Sequence, residues 1–194
     1  MTTPKETVSV TVPSKLKYCH YVSDASELLF KSKINFYSEE LFNLFTQDMR
    51  IVMYELFSNA VNHSQSDCVT IVLSVDEDEL SVTIKTKNNP FVIKQVNSYI
   101  NEKREYPLIV PPFSNEILGS DFVVYRDYEY DIYCRVTGPF DVYFRIEKNI
   151  SREKHEFDIP EHYGLSLITK LTHYTGYYRS PDGYDNFTIK KRIK

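Results

Sequence analysis

The longest regular pattern in the sequence is an amphipathic helix that is followed at once by a pair of strands. The predicted helix runs from about Ser38, a plausible N-cap, to His63. Its apolar stripe, at spacings of four and seven, comprises Leu41, Phe45, Val52, Leu56 and Ala60. Two alternating segments, CVTIVLSV and ELSVTIKT, flank the acidic turn DEDE and predict a β-hairpin. The middle of the chain is therefore expected to place a long helix beside a sheet.

The remaining segments add strands and helices around this centre. A strand is predicted at Thr7–Val12, a helical region from Ser14 to about Tyr37, and a helix within the segment that follows Phe91. A period-2 pattern on both sides of Thr137-Gly138-Pro139 predicts a second hairpin. The segment YGLSLITKLTHYTG predicts a short helix, and the end of the chain predicts a last hairpin.

This order of elements predicts an α/β fold. We expect a two-layer α/β sandwich, with a mixed, mostly antiparallel sheet covered by helices on one face and an inserted β-hairpin region. The whole chain, 1–194, is expected to form a single domain with an insertion at about 92–160.

Composition excludes several classes of function. The chain is 42% hydrophobic and 26% charged, which is typical of a globular protein. Its net charge of −4 does not favour nucleic acid or an anionic membrane as a partner. No apolar run reaches the length of a membrane span, and the first residues lack an apolar leader. Three cysteines without metal-ligand spacing indicate a reducing compartment, so we expect a cytoplasmic protein.

A polar stripe lies beside the apolar stripe of the long helix. It contains Asp48, Glu55, Asn59 and Asn62. A solvated helix face would explain this pattern. A catalytic site would explain it as well, because a glutamate can deprotonate an attacking hydroxyl and a carboxamide oxygen suits Mg²⁺.

The segment ELFSNAVNHS resembles the N-box, E-L-x-x-N-A-x-x-H, of the GHKL (histidine-kinase-like) ATPases. Its position after a strand and two helices, directly before a hairpin, is similar to the anti-sigma-factor serine kinase branch of that superfamily. The tail YGLSLITKLTHYTGYYRSPDGYDNFTIKKRI is similar to the end of that branch. The resemblance covers about residues 5–91 and 162–193.

The resemblance implies a role for individual residues. Glu55 would be the catalytic base, and Asn59 would be the Mg²⁺ ligand. His63 would lie near the nucleotide. Gly164 and Leu165 would begin the helix whose backbone N–H groups receive phosphate. The implied cofactors are ATP and Mg²⁺.

The chain departs from the family at its first glycine box. Thr86 stands where the family has an aspartate that accepts a hydrogen bond from the adenine amino group, and Asn88 stands at the first glycine. Threonine keeps an acceptor oxygen but loses the charge, and a charge-assisted hydrogen bond is roughly twice as strong as a neutral one. The second glycine-rich box is reduced to Gly164.

Two functions follow from these residues. In the first, the protein is a regulatory serine/threonine protein kinase of GHKL type that transfers phosphate from ATP–Mg²⁺ to a serine of a partner. The implied partner is a sigma factor or an anti-anti-sigma-like protein, and the family is often dimeric. In the second, the protein is a non-catalytic scaffold, a pseudoenzyme, that binds a protein through its Tyr-rich insertion.

Overall fold

The computed structural model of the chain describes residues 6–34, 36–76, 78–87, 91–95, 109–127, 129–148 and 163–193. Three α-helices lie in these ranges: α1 (Cys19–Lys33), α2 (Glu39–His63) and α3 (Tyr163–Leu171). Short 3-10 turns precede α1 and β4, at Leu16–Tyr18 and Asn115–Ile117. In the described ranges, no helix is both long enough and apolar enough to cross a membrane.

The strands of the described ranges join in one sheet. They are β1 (Glu6–Pro13), β2 (Cys68–Asp76), β3 (Glu79–Lys87), β4 (Asp121–Arg126), β5 (Tyr130–Gly138), β6 (Asp141–Lys148), β7 (Tyr174–Arg179) and β8 (Tyr184–Arg192). Their order across the sheet is β1-β2-β3-β8-β7-β6-β5-β4. Every pairing between these strands is antiparallel.

The predicted fold class, a two-layer α/β sandwich on a mixed sheet, is wrong. The sheet has eight strands within the described residues and is antiparallel throughout, and the insertion contributes β4, β5 and β6 to it. The helices also cover only part of the sheet. One buried cluster packs α1 and α2 against β1, β2, β3 and β8. The second lies on β4–β7 and includes Ile93 and Phe113, which belong to no helix.

Several local predictions are confirmed. The long helix starts one residue after Ser38, whose Oγ accepts a hydrogen bond from the Leu41 N–H at 3.2 Å. The first, second and third predicted hairpins correspond to β2–β3, β5–β6 and β7–β8. The helix predicted after Phe91 falls mostly on residues outside the described ranges. Residues 91–95 are not helical.

The long helix is held on the sheet by large side chains that are fully buried. Met49, Val52, Met53 and Phe57 of α2 have no exposed surface. At the outer edge of the helix, Lys191 of β8 donates a hydrogen bond to Asp48 at 2.7 Å. This packing fixes the C-terminal half of α2 over the central strands β3 and β8, where the candidate site lies.

Candidate functional site

A cavity of about 450 Å³ lies between α2, α3 and the central strands of the sheet. Its volume is within the range of roughly 300–1,000 Å³ that small-molecule sites occupy. Aromatic rings of β6, β7 and β8 form much of the wall, and they belong to Phe144, Tyr177 and Phe187. Phe91 adds a further ring, whose centroid is 4.9 Å from that of Tyr177. The cavity therefore offers flat apolar surfaces with a few polar groups among them.

The C-terminal end of α2 supplies one wall of the cavity. Leu56, Asn59, Ala60 and His63 line it. These residues follow one another at spacings of three, one and three, which places them on one face of the helix. Asn59 is half-buried and His63 is exposed. Asn62, which the polar stripe also contains, is exposed and contacts Ser58 Oγ at 3.4 Å.

The strand β3 contributes Thr86, which is buried and lines the cavity. Its cross-strand neighbour is Asp185 of β8, which is also buried and lines the cavity. Asn88, the other predicted residue of this segment, lies outside the described residues.

The helix α3 begins beside the same end of α2. Gly164 and Leu165, in its first turn, both line the cavity. A Cβ atom added to Gly164 would collide with the carboxylate of Glu55 and would lie 3.3 Å from Nδ2 of Asn59. The glycine therefore allows the two helices to approach closely, and it places the Glu55 carboxylate against the first turn of α3, where a negative charge is favoured.

Glu55 lies beside the cavity, whereas the other predicted site residues that the structure describes line it. It contacts Gly164 but is not among the described residues that line the cavity. Burial raises the pKa of its carboxyl group above the ordinary value. A carboxylate with a raised pKa is a stronger base, which suits proton removal from a hydroxyl group if that group reaches it.

The substitution Glu55→Gln should reveal the cost of burying this carboxylate. Because the pKa is raised in the folded state, the folded protein binds the proton more tightly than the unfolded chain. Wild-type stability should therefore fall as the pH rises from the ordinary carboxyl pKa, about 4.3, through the raised value, and stay lower above it. We expect Glu55→Gln to melt at a higher temperature than wild type at pH 7, with a gap that closes toward pH 3. A gap independent of pH, measured by circular dichroism, would contradict this account.

Several lining residues were not identified from the sequence as site residues. Among them are Lys94, Phe144, Tyr177, Asp185 and Phe187. The sequence holds a signal for Asp185 and Phe187: they are two positions apart in β8, so they share a face of the strand with buried Ile189. The Tyr177 hydroxyl group donates a hydrogen bond to Asp185 Oδ1 at 2.6 Å.

The described residues of the cavity offer few ligands for a metal ion, so they suit an ion that takes most of its ligands from water or from a bound molecule. Among the described residues, no three histidine, cysteine, aspartate or glutamate side chains are grouped so that they could hold a metal ion. Asn59 contributes one neutral carboxamide, which is compatible with Mg²⁺ because this ion retains waters and binds phosphate oxygens.

Several described tyrosines of the insertion make contacts within the fold. Tyr125 is buried, with its hydroxyl group 3.1 Å from Asp127 Oδ2. The Arg145 guanidinium lies 4.4 Å from the centroid of the Tyr133 ring, and Tyr143 packs on Tyr174 at 5.5 Å between centroids. Burial raises the pKa of Tyr125 to about 12. Tyr125 is buried, whereas Tyr133 and Tyr143 are half-buried and keep part of their surface exposed.

Comparison with known proteins gives no match from which a function could be inferred. No protein-family model matches the chain, and a search of curated proteins found none that matches it.

Proposed function

We propose that the cavity binds ATP and that the protein is a regulatory ATP-binding protein similar to the anti-sigma-factor serine kinases. One observation carries the proposal. Five residues selected by the resemblance to the GHKL ATPases, from three separate segments of the chain, line a single cavity. They are Asn59, His63, Thr86, Gly164 and Leu165. A solvated helix face would give no reason for the residues of β3 and α3 to meet those of α2.

The lining of the cavity suits both the base and the phosphates of a nucleotide. Phe144, Tyr177 and Phe187 provide apolar surface for a flat base. The first turn of α3 provides backbone N–H groups, and Lys94 provides a positive charge, for phosphate. Asn59 would hold Mg²⁺ through its carboxamide oxygen. When bound, the ion would reduce the negative charge of the phosphates.

Phosphate transfer to a serine of a partner protein is the reaction we propose. The serine oxygen would form the new bond to phosphorus, the hydroxyl proton would pass to Glu55, and ADP would leave. The raised pKa of Glu55 favours this role. The added charge on the partner would change its contacts, which is how phosphorylation releases a bound protein. The partner class is a sigma factor or an anti-anti-sigma-like protein.

A cytoplasmic location belongs to the same proposal. Cys19, Cys68 and Cys134 are free thiols. Free thiols suit a reducing compartment.

ATP–Mg²⁺ should raise the melting temperature of the protein, and Asn59→Ala should remove most of the increase. A ligand at about 100 times its Kd stabilises a protein by about 2.7 kcal/mol, which corresponds to about 5–10 °C for a chain of this length. Isothermal titration should show binding of ATP that weakens at least about tenfold in Asn59→Ala, a change of about 1.4 kcal/mol.

The matched control is Asn62→Ala. Asn62 is on the same helix, is exposed and does not line the cavity, so its removal should leave ATP binding unchanged. A folded wild-type protein that gives neither a thermal shift nor heat with ATP would exclude the proposed nucleotide site. The scaffold function, with partner binding that survives Glu55→Ala, would then be the function to test.

A further inference from the structure

Asp185 is the charged residue of the cavity wall that the proposed function leaves without a role. It lies in β8, directly across from Thr86 in β3, and only 8% of its surface is exposed. Both side chains line the cavity. Burying a carboxylate at such a position is costly unless its oxygen atoms receive hydrogen bonds.

The two oxygen atoms of this carboxylate differ in the hydrogen bonds that they accept. Oδ1 accepts hydrogen bonds from Tyr177 Oη at 2.6 Å and from the Arg179 guanidinium at 2.7 Å. Within the described part of the chain, Oδ2 accepts no hydrogen bond. Two donors on one oxygen atom fix the orientation of the carboxylate, and the second oxygen atom keeps its capacity to accept a hydrogen bond.

The surroundings restrict what could donate to Oδ2. Phe187, two residues along the same strand, and Phe144 lie with their ring centroids 5.7 Å apart and line the cavity. A ligand that fills this region needs a flat apolar body and an N–H group at its edge. Adenine has both, because its amino group is a donor. Guanine and hypoxanthine carry a carbonyl oxygen in place of that amino group, and an acceptor against a carboxylate is unfavourable. Only a different orientation in the cavity would bring the N–H groups of these bases to Oδ2.

We propose that Asp185 is the base-recognition residue of this chain and that it selects adenine by accepting a hydrogen bond from the adenine amino group at Oδ2. This inference rests on the proposed nucleotide site and adds its base specificity. It also explains how the chain could recognise adenine with a threonine, Thr86, at the position where the family has an aspartate. The carboxylate absent from position 86 is supplied by the neighbouring strand, at the cross-strand position.

The test compares three nucleotides by isothermal titration with the full chain and Mg²⁺. They are ATP, inosine triphosphate, which carries a carbonyl oxygen in place of the amino group, and purine riboside triphosphate, which carries only hydrogen there. We expect wild type to bind ATP at least about tenfold more tightly than either analogue, since a buried acceptor left unpaired is costly.

Two variants assign the preference to a residue. Asp185→Asn keeps Oδ1 for Tyr177 and Arg179 and places an NH₂ group where Oδ2 was, so it should lose the preference for ATP over inosine triphosphate. Thr86→Val, of similar shape, should keep that preference. Should Asp185→Asn fail to fold, the three nucleotides on wild type and Thr86→Val still decide the matter.

Each outcome has one meaning. Equal affinity of wild type for the three nucleotides would overturn the role of Asp185 while leaving the nucleotide site intact. Loss of the preference in Thr86→Val, but not in Asp185→Asn, would assign recognition to Thr86 and overturn the inference. No binding of any nucleotide to folded wild type would remove the proposed function and this inference with it.

Discussion

Truncation of Phe57 to alanine is expected to lower the free energy of unfolding by about 3–5 kcal/mol. Phe57 is fully buried on α2, within the cluster that joins α1 and α2 to the sheet. Replacing it removes apolar area from the core and leaves a cavity that the neighbouring side chains fill only partly. Urea unfolding monitored by circular dichroism would measure the change.

The control for this substitution is on the same helix. Leu44 is 56% exposed, so Leu44→Ala should alter stability by no more than about 0.5 kcal/mol. Equal effects of the two truncations would mean that α2 does not pack on the sheet through Phe57, and the position of the cavity wall would then be in question.

Replacing Arg126 by methionine should be nearly as costly, at about 3–5 kcal/mol. Arg126 of β4 and Asp131 of β5 are cross-strand neighbours. Their side chains form two parallel hydrogen bonds, at 3.0 and 3.2 Å, and the Asp131 side chain is 3% exposed. Without the guanidinium, the buried carboxylate keeps its desolvation cost and loses the charge that offset it.

A double variant separates this effect from simple loss of packing. Arg126→Met combined with Asp131→Leu removes both charges, so it should recover much of the lost stability. Hydrogen exchange gives a second readout. Since β4–β6 continue the central sheet, protection should fall in β2 and β3 as well as in β5. Loss of protection confined to β4–β6 would show that the insertion unfolds on its own.

The local elements were predictable from the sequence because local physics determines them. The start of α2 depends on the Ser38 cap, and the hairpins follow from period-2 alternation. The strand β4 was missed for a physical reason. Its register shifts between Val123 and Tyr125, and such a bulge breaks the alternation by which a strand is identified.

The direction of pairing was not predictable in the same way. Alternation of apolar and polar residues indicates that a segment is a strand and which of its side chains share a face. It does not indicate which other strand pairs with it or in which direction. The predicted mixed sheet was wrong because β1 pairs with β2, β8 pairs with β3, and the insertion joins β7, all antiparallel.

The site residues also differ in whether the local sequence or the tertiary packing determines their position. Asn59 was found because helical spacing places it in the polar stripe of α2, and His63 was found through the resemblance of its segment to the N-box. Asp185 was missed because its proximity to Thr86 depends on cross-strand register between segments far apart in the sequence. The position of Glu55 against Gly164 likewise depends on the packing of two helices.

The strand at the centre of the sheet comes after all the other described strands in the chain. Since β8 lies between β3 and β7, it joins the two halves of the sheet. Its partners in β3, such as Glu79 opposite Arg192, are separated from it by more than half of the sequence. Closing such long loops slows folding. Until β8 is in place, β3 and β7 are open edges that can pair with other chains, so the period before the last strand docks is when this protein is most exposed to aggregation.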